Sequence, residues 1–357
     1  MSHDQALSTL SPAASTAVRP ACGEDLSPDI LLALAFGFAP PLMIAAAVRV
    51  GLFDWLALGP ATTTGLALDL NVSARGLRAL CHALAGLGLL QRVGDNEFDL
   101  TPLSATYLVR NRPRQNLGML FTQAATQLIP AWIDLETCLS SGRPYVSANQ
   151  AGAGEQLFTE LVEGLLPLNW PAASRLAAHL SPSLGESRYR VLDIAAGSAV
   201  WSIPFAMGSR NVEVTAIDWA RILPITRRVC QSYGVERQYS FVDGDVAEAD
   251  FGCDYDLALL GHILHSEGEV AARRLLRRVH ETLRPGAQVV IAEFLVDDDR
   301  SGPISSLIFA LNMFVHTDHG DAFSYVQLEN WLTDAGFTDC RQLQVDAPSP
   351  LILATKP

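Results

Sequence analysis

Two side chains in the C-terminal half, His265 and Glu293, are of the types that carry out acid–base chemistry. His265 follows the apolar run Asp256 to Leu260, and Glu293 ends the next such run, Gln288 to Glu293. If the two runs are neighbouring parallel strands, their carboxyl ends lie side by side and the carboxylate can hold the imidazole in its reactive tautomer. A base positioned in this way typically contributes ~10²–10⁴-fold to a reaction rate. A purely structural His–Glu hydrogen bond is the alternative interpretation.

A run of very small residues, Ala195 to Ala199, lies inside the stretch Arg190 to Trp201. It follows a short apolar strand pattern and precedes an apolar helical pattern, which is the local form of a nucleotide-binding strand–turn–helix unit. Small side chains let the backbone approach a ligand, although an ordinary turn fits the same pattern. Asp218 ends a second strand pattern, 25 residues after Asp193. An acid at this place in an open α/β sheet binds the two hydroxyls of a ribose.

Strand and helix patterns alternate through the rest of this half. Further strands are predicted at Tyr239 to Val242, Asp256 to Leu260 and Gln288 to Glu293, and helices at Ile222 to Tyr233, Glu269 to Leu283 and Ser324 to Ala335. This rhythm predicts an α/β fold with a doubly wound, mostly parallel sheet, whose ligands bind at the carboxyl ends of the strands. The polar residues predicted at or near those ends are Asp193, Asp218, Asp245, His262, His265 and Glu293.

Six segments carry a family resemblance: VLDIAAGS, AIDW, DGD, LGHILHSEGE, LRPGAQVVIAEF and FSYVQLENWLTDAGF. The chain from about Leu180 onwards resembles the class I S-adenosylmethionine-dependent methyltransferases, whose sheet is Rossmann-like. The whole chain resembles the small-molecule O-methyltransferases related to plant caffeate-type enzymes and to bacterial enzymes that tailor natural products. The resemblance implies methyl transfer from S-adenosyl-L-methionine to a hydroxyl of a small acceptor, with S-adenosyl-L-homocysteine as product.

The resemblance also implies roles for individual residues. The small-residue turn would contact the methionine part of the cofactor, Asp218 the ribose and Asp245 the adenine, while His265 would be the general base beside Glu293. The implied cofactor-binding set is Asp193, Ala195, Gly197, Asp218, Trp219, Gly244, Asp245, Val246 and Gly261. The acceptor-binding candidates are Phe121, Asn169, Trp170, His262, Met313 and His316, with Trp132, Phe158 and Leu165 as further candidates for the pocket lining. For each of the apolar candidates, plain core packing is the alternative.

Departures from the family pattern leave the acceptor chemistry open. Ser266 stands where an aspartate often follows the base, and Ala322 where plant members use a second glutamate. The segment His316 to Asp321 holds four potential metal ligands, and a few relatives bind a metal through histidines here and after the fourth strand. One alternative is therefore metal-assisted C-methylation of a 2-keto acid, with His265 and His316 as ligands; a base without a metal is the preferred interpretation.

Other functions on the same fold are alternative hypotheses. S-methylation of a thiol or thioether would require no strong base. Two further hypotheses belong to a different class of protein. One is a non-methylating cyclase or hydroxylase that keeps the cofactor as a scaffold, and the other is an acidic winged-helix regulator.

The chain has 357 residues and a formal net charge of −13, with Lys356 as its only lysine. Such a surface repels phosphate backbones and anionic membranes, so neither a nucleic-acid nor a membrane partner is expected. The six cysteines form no CxxC pair, which argues against a zinc site or a disulfide framework. The first residues lack the pattern of a signal peptide, and no apolar run is expected to reach the ~18 residues of a membrane span. These observations predict a cytoplasmic protein.

The N-terminal half is predicted to be helical and separate from the catalytic part. Residues 1–27 are predicted to be a flexible arm, 28–112 a winged-helix domain, 113–185 connecting helices that line the acceptor pocket, and 186–357 the catalytic domain. In the resembled family the winged helix is a dimerisation element, so the resemblance implies a homodimer. The acidic charge of the chain argues against DNA as the partner of this domain.

Prolines divide the helical patterns of this half. Pro40-Pro41 predicts that the stretch Pro28 to Leu56 forms two helices rather than one. The stretch carries few charges, and an apolar helix at the start of a chain is often covered by another subunit. Pro130 is predicted to break the helical pattern Leu117 to Leu139, and Pro171 to begin a new helix at its first turn.

Overall fold

The computed structural model describes residues 28–111, 115–148, 153–180, 187–345 and 349–357. The predicted N-terminal arm, residues 1–27, lies outside these ranges. The predicted domain boundaries after residues 112 and 185 also fall among residues that are not described.

Short helices around a small antiparallel sheet form the N-terminal part. Its elements are α1 (Asp29–Ala35), α2 (Ala39–Val50), α3 (Leu52–Leu56), β1 (Ala61–Thr62), α4 (Thr63–Asp69), α5 (Ala74–Gly86), β2 (Leu90–Gly94), β3 (Glu97–Leu100) and α6 (Pro102–Tyr107). The hydroxyls of Thr62, Ser73 and Thr101 each accept a hydrogen bond from the backbone N–H three residues on, which starts α4, α5 and α6 at good N-caps. The strands pair in the order β1-β3-β2, and the capped helices α4 and α5 lead into the hairpin of β2 and β3.

The stretch Pro28 to Leu56 is divided, but into three helices, α1, α2 and α3, rather than the two predicted, and the first division lies just before the two prolines. Pro40 and Pro41 lie in the first turn of α2, where the missing N–H of proline has no helical partner to lose. α2 buries four apolar residues in the N-terminal core, whereas no residue of α1 is buried. The apolar side chains of α1 therefore face outward.

The segment Asp29–Val50 passes, by length and composition, the test for a helix that could cross a membrane, with 17% of its most apolar window buried. The prediction that no segment would be so apolar was wrong. The segment is not one continuous helix, because a turn between Ala35 and Ala39 separates α1 from α2. The burial of α2 in the N-terminal core makes that half of the segment part of a folded domain.

The connecting region is helical throughout most of its described length. It contains α7 (Gly118–Gln123), a π-helical turn (Ala124–Leu128), α8 (Ile129–Ile133), α9 (Leu135–Ser141) and α10 (Ala153–Leu180). Pro130 lies in the first turn of α8. The chain therefore stays helical past this proline instead of breaking there, because the π turn just before it changes the local hydrogen-bond spacing.

α10 runs through both Pro167 and Pro171 without ending. The prediction that Pro171 begins a new helix was wrong. An interior proline costs ~3 kcal/mol or more in an isolated helix. Residues on both sides of Pro171, including Leu166 and Ala172, are buried in the core of the C-terminal part, so tertiary packing outweighs the local preference.

The C-terminal part is a seven-stranded sheet flanked by helices. Its strands are β4 (Tyr189–Ile194), β5 (Val212–Asp218), β6 (Tyr239–Asp243), β7 (Tyr255–Gly261), β8 (Leu283–Ala292), β9 (Thr338–Leu343) and β10 (Leu351–Thr355). Its helices are α11 (Ile203–Gly208), α12 (Leu223–Ser232), α13 (Leu264–Thr282), α14 (Ile304–His316) and α15 (Tyr325–Asp334). The strand order is β6-β5-β4-β7-β8-β10-β9, and β10 alone runs antiparallel to its neighbours. The predicted doubly wound, mostly parallel sheet is confirmed.

Hydrophobic clusters cover both faces of this sheet. Val191 of β4 belongs to one cluster and the next residue, Leu192, to the other, as the alternation of a strand buried on both faces requires. The register pairs Ile194 with Ile217 and Gly261 with Ala292. The loops after β4, β5, β7 and β8 therefore open at one edge of the sheet.

Candidate active site

The turn after β4 brings a backbone N–H to the carboxylate that ends β5. Ala195, Gly197 and Ala199 have φ values of 52°, 54° and 58°, in the left-handed region that disfavours larger side chains. Gly197 N–H donates to Oδ2 of Asp218 at 2.7 Å, and Trp219 N–H donates to Oδ1 at 2.8 Å. Burial raises the pKa of Asp218 to about 6, and these two bonds oppose the rise. Each carboxylate oxygen keeps a lone pair for a ligand hydroxyl.

Asp193 lies beneath this turn and does not line the cavity in front of it. It is 1% exposed and accepts a hydrogen bond from Oγ of Ser202 at 2.5 Å. The same Oγ lies 3.0 Å from the hydroxyl of Tyr239 and 3.3 Å from the carbonyl oxygen of Ala199. Burial raises the pKa of Asp193 to about 7, the Ser202 bond opposes the rise, and the charge of Asp218 adds to it. The structure thus places Asp193 in support of the turn.

A cavity of about 350 Å³ opens at the carboxyl edge of the sheet. Eight of the predicted cofactor residues line it: Ala195, Gly197, Asp218, Trp219, Gly244, Asp245, Val246 and Gly261. Asn169 and His262, from the acceptor set, line it too. Three carboxylate residues face the cavity, Asp218, Asp245 and Glu267, and its described lining includes no Lys or Arg. Such a lining favours a ligand that carries positive charge.

His265 and Glu293 meet, as their positions after neighbouring strands predict. His265 is the second residue of α13, and Glu293 follows β8 directly. Nδ1 of His265 lies 2.7 Å from Oε2 of Glu293, and the backbone N–H of His265 donates to Oε1 at 3.2 Å. Burial alone would raise the pKa of Glu293, but the charge of His265 and these bonds bring it below its ordinary value. A carboxylate accepts the Nδ1 proton, which leaves the lone pair of Nε2 available as a base.

His262 presents an uncharged ring to the cavity. It has a φ of 62°, in the region that favours glycine. Its ring centre is 5.9 Å from that of Trp201 and 5.0 Å from that of Phe294. Burial lowers the pKa of His262 to about 4, although the charge of Glu293 opposes this. The preceding residue, Gly261, lies so close to the Trp201 indole that a Cβ there would overlap it.

Aromatic rings surround the base. Phe309 of α14 meets the His265 ring edge-on at 4.8 Å, and the ring of Phe294 lies 4.4 Å from that of Phe309. Nε1 of Trp132 donates to Oδ1 of Asn312 at 2.9 Å, which ties α8 to α14. A flat aromatic molecule would find complementary ring faces and edges at this end of the site.

Four of the predicted acceptor residues do not line the cavity. Phe121 packs against the N-terminal core, and Trp170 stacks on Tyr233 at 4.7 Å. For these two the structure agrees with the core-packing alternative. Met313 and His316 are buried on α14, the helix that also carries Phe309.

Sequence reasoning missed several residues at the site. Trp201 lies two residues after the small-residue turn, and Phe294 directly follows Glu293, so their neighbours in the sequence offered a signal. Phe309 lies within the apolar run Leu307 to Leu311 of α14, and no local pattern distinguishes it from a core residue.

Residues 191–338 match the O-methyltransferase domain family, and residues 32–110 match the O-methyltransferase dimerisation domain family. The chain belongs to the small-molecule O-methyltransferases. It is 28% identical over 331 residues to the tetracenomycin polyketide synthesis 8-O-methyltransferase of Streptomyces glaucescens, covering 92% of this chain and 97% of that protein. It is also 28% identical over 332 residues to the 3-hydroxy-5-methyl-1-naphthoate 3-O-methyltransferase of Streptomyces sahachiroi, covering 90% and 92%.

A solved structure shares the fold of this O-methyltransferase. Human N-acetylserotonin methyltransferase in complex with S-adenosylmethionine aligns with a TM-score of 0.81 at 24% identity, over 94% of this chain and 99% of that one. The matched O-methyltransferase domain and the relatives named as O-methyltransferases make the chain an S-adenosylmethionine-dependent methyltransferase. Family membership favours O-methylation over the alternatives of a cyclase, a hydroxylase or a regulator.

The cavity of this O-methyltransferase fits the methyl donor. S-adenosylmethionine carries a sulfonium and an ammonium group, and the described lining offers carboxylates and no basic side chain. The Asp218 carboxylate, already fixed by two backbone N–H groups, can accept bonds from two neighbouring hydroxyls. The glycine at 197 leaves the turn free of side-chain bulk at the cavity.

The donor atoms of the O-methyltransferase site do not favour the metal alternative. His262, His265 and Glu293 offer potential ligand atoms that lie within 4.8 Å of one another. Nδ1 of His265 is already bonded to Glu293. His316, the second ligand of the metal alternative, belongs to no such group of three within the described ranges, and its Nδ1 lies 3.0 Å from the carbonyl oxygen of Asn312.

Proposed function

We propose that this enzyme methylates a phenolic hydroxyl of an aromatic small molecule, with His265 as the general base. The observation that carries the proposal is the buried pair in which Nδ1 of His265 lies 2.7 Å from Oε2 of Glu293. The phenylalanine rings beside His265 support an aromatic acceptor. Relatives named for a polyketide and for a hydroxynaphthoate support the same class.

Each residue of the site has a distinct part in the proposed mechanism. S-adenosylmethionine, when bound, supplies an electrophilic methyl group on a positively charged sulfur. Asp218 would hold its ribose hydroxyls and the turn at Gly197 its amino-acid part. Nε2 of His265 accepts the proton of the acceptor hydroxyl as the oxygen attacks, and Glu293 stabilises the resulting imidazolium. The proton then leaves His265 for solvent.

The neutral ring of His262 complements this arrangement. A protonated imidazole at the cavity wall would repel the sulfonium, whereas burial keeps this one uncharged. The aromatic rings of Trp201, Phe294 and Phe309 shield the reacting atoms from water. A water-poor site strengthens the His265–Glu293 interaction.

We also propose that the enzyme is a homodimer that forms through α1. The family match of residues 32–110 is to a dimerisation domain. Six large apolar residues of α1 and the turn after it are 55–69% exposed: Ile30, Leu31, Leu32, Leu34, Phe36 and Phe38. The five described cysteines are free thiols, which is compatible with the proposed cytoplasmic location.

Substitution of the buried pair tests the general base. His265→Ala is expected to lower kcat by ~10²–10⁴-fold, and Glu293→Gln to lower it as well, because an amide does not stabilise the imidazolium. Neither residue lines the cofactor cavity, so affinity for S-adenosylhomocysteine is expected to stay at the wild-type value. Steady-state kinetics with radiolabelled methyl donor and a phenol panel, together with calorimetry, measure both quantities.

His179→Ala is the matched control, because His179 is an exposed histidine near the end of α10. It is expected to leave kcat and affinity unchanged. Full activity in His265→Ala, or activity that a strong chelator removes and a divalent ion restores, would contradict the metal-free base.

A further inference from the structure

Thr226 is a buried residue of α12 whose hydroxyl contacts the turn after β4. It is 0% exposed, and its Oγ1 lies 2.7 Å from the carbonyl oxygen of Gly197, 29 residues earlier in the chain. Oγ1 also lies 3.2 Å from the carbonyl oxygen of Ile222. A hydroxyl has one proton to donate, and the shorter distance assigns that proton to Gly197.

The bond to Gly197 differs from the usual bond of a helical threonine. A threonine hydroxyl inside a helix commonly donates to the carbonyl oxygen four residues earlier. On α15, Oγ1 of Thr333 donates in this way to Glu329 at 2.9 Å. Thr226 instead joins its helix to a turn from another part of the chain.

Gly197 is held through both of its neighbouring peptide groups. Its N–H donates to Oδ2 of Asp218 at 2.7 Å, and its carbonyl oxygen accepts the proton of Thr226. Because the peptide groups are planar, the two bonds together fix the φ and ψ angles of Gly197, and φ is 54°. Glycine adopts positive and negative φ about equally and loses more conformational freedom on folding than any other residue. These two bonds therefore select a conformation that glycine does not select by itself.

The contacts form a closed ring of hydrogen bonds that includes Asp218. Trp219 N–H donates to Oδ1 of Asp218 at 2.8 Å. At the start of α12, Ile222 N–H donates to the carbonyl oxygen of Trp219 at 2.8 Å, and Thr226 N–H donates to that of Ile222 at 3.1 Å. The Thr226 hydroxyl closes the ring through Gly197 to the other carboxylate oxygen. Asp218 and Thr226 contribute the two side chains of this ring, so removal of the hydroxyl opens it without changing the acid.

Thr226 lies behind the surface that would contact a cofactor. Gly197, Asp218, Trp219 and Ile222 all line the cavity, whereas Thr226 is not part of its lining. An effect of Thr226 on a bound cofactor therefore passes through the other members of the ring.

We propose that Thr226 is a positioning residue for the methyl donor: its hydroxyl sets the conformation of Gly197, which in turn orients the Asp218 carboxylate towards the ribose hydroxyls. This inference rests on the proposed function, which assigns the ribose to Asp218. A contact that is already ordered before binding leaves less conformational freedom to be lost on binding. Thr226 therefore contributes to affinity for the cofactor and not to the methyl-transfer step, because His265 and Glu293 lie outside the ring.

Thr226→Val removes the hydroxyl and keeps the branched shape of the side chain. The Kd for S-adenosylhomocysteine and the KM for S-adenosylmethionine are expected to rise ~3–10-fold, the effect of one uncharged hydrogen bond. At saturating S-adenosylmethionine, kcat is expected to stay at the wild-type value. Thr226→Ser keeps the hydroxyl and is expected to restore the affinity. Calorimetry and initial-rate kinetics measure these quantities.

A double-mutant cycle with Asp218→Ala tests the route of the effect. Asp218→Ala alone is expected to weaken binding of S-adenosylhomocysteine by ~10-fold or more, because a charged hydrogen-bond acceptor is lost. Thr226→Val is expected to add little to this loss, because Gly197 then has no carboxylate to orient. A threonine that only stabilises the fold would have the same effect with and without Asp218.

Thr333→Val is the matched control, because it removes a hydroxyl from a helix outside the described lining of the cavity. It is expected to bind S-adenosylhomocysteine as the wild type does. Thermal unfolding of each variant, and Thr226→Ala as a second variant without the hydroxyl, separate a loss of affinity from a loss of folding. Normal affinity in Thr226→Val and Thr226→Ala, or equal effects with and without Asp218, overturns the inference alone. Normal affinity in Asp218→Ala shows that the proposed ribose contact is wrong and overturns the inference with it.

Discussion

At the scale of single residues, the two most buried acids of the site show how partners decide the charge of a carboxylate. Asp193 and Glu293 are 1% and 2% exposed. Burial raises the pKa of Asp193 to about 7, and the charge of Asp218 adds to the rise, whereas the hydrogen bond from the neutral hydroxyl of Ser202 opposes it without cancelling it. For Glu293 the same effect of burial is reversed by the adjacent His265. Burial thus favours the neutral form of Asp193, whereas His265 keeps Glu293 ionised, as its proposed role beside the base requires.

The pKa of Asp193 predicts how stability depends on pH. The Asp193 carboxylate takes up a proton in the folded state as pH falls through about 7, whereas in the unfolded chain it does so only near its ordinary pKa of 3.8. Between these values the folded state binds more protons, so the free energy of unfolding falls as pH rises. The contribution between about pH 6 and pH 8 is ~1 kcal/mol. Denaturant titration at several pH values measures it.

Asp193→Asn is the comparison for this pH effect. The amide cannot ionise and can still accept a hydrogen bond from Ser202. This part of the slope is expected to vanish in Asp193→Asn and to persist in Glu213→Gln, a change at an exposed acid on β5. An identical pH slope in wild type and Asp193→Asn would disprove the assignment.

At the scale of elements, α13 connects the base to the far end of the cofactor cavity. His265 is near its start, and Arg278 lies close to its end. Nη1 of Arg278 donates to the carbonyl oxygen of Val246 and Nη2 to that of Ala249, both at 2.5 Å. Its guanidinium also lies 4.1 Å above the centre of the Phe251 ring. Val246 lines the cavity, so α13, whose backbone is non-helical at Gly268 between His265 and Arg278, reaches from His265 to this loop.

Arg278→Met is therefore expected to loosen the loop that contains Val246. Loss of two charge-assisted hydrogen bonds is expected to raise KM for S-adenosylmethionine and Kd for S-adenosylhomocysteine by ~10-fold or more, with little change in kcat. Arg278→Lys is expected to recover part of the affinity. Calorimetry and initial-rate kinetics give the two parameters.

Arg277→Met provides the control, because Arg277 is an exposed neighbour on the same helix. It is expected to behave as wild type. An Arg278→Met enzyme with normal cofactor affinity, or one in which only kcat falls, would show that the loop does not depend on this guanidinium.

The only lysine of the chain, Lys356, also binds at the C-terminal end of α13. Nζ of Lys356 donates to the carbonyl oxygens of His280 and Leu283, both at 2.7 Å. The last carbonyls of a helix have no partner within it, and a cation there also complements the helix dipole. Lys356, which follows β10, thus links the end of this strand to α13, the helix that contains His265.

At the scale of the whole molecule, the apolar surface of α1 predicts assembly. None of its residues is buried in the single chain, and each Å² of apolar surface removed from water contributes ~25 cal/mol. The double variant Leu31→Asp, Leu34→Asp is expected to convert a homodimer into a monomer, because it places charges on two side chains that are 66% and 69% exposed. Light scattering at micromolar concentration measures the mass.

Val270→Asp is the control for the added charge, since Val270 on α13 is 86% exposed and lies outside the N-terminal part. It is expected to remain a dimer. A wild-type enzyme that is already monomeric at micromolar concentration would refute assembly through α1.

The sequence by itself determined the sheet, the acid at the end of β5 and the meeting of His265 with Glu293. These follow from short-range periodicity and from the rule that parallel strands share one carboxyl edge. Only the tertiary structure decided that α10 continues through Pro171, that Asp193 lies beneath its turn, and that α14 forms the wall beside the base. Those outcomes depend on contacts that local periodicity does not show, such as the bond from Ser202 to Asp193 and the bond that joins Trp132 to Asn312, 180 residues apart. Local sequence patterns show which side of a helix or strand is apolar, but tertiary packing determines which other element that side contacts.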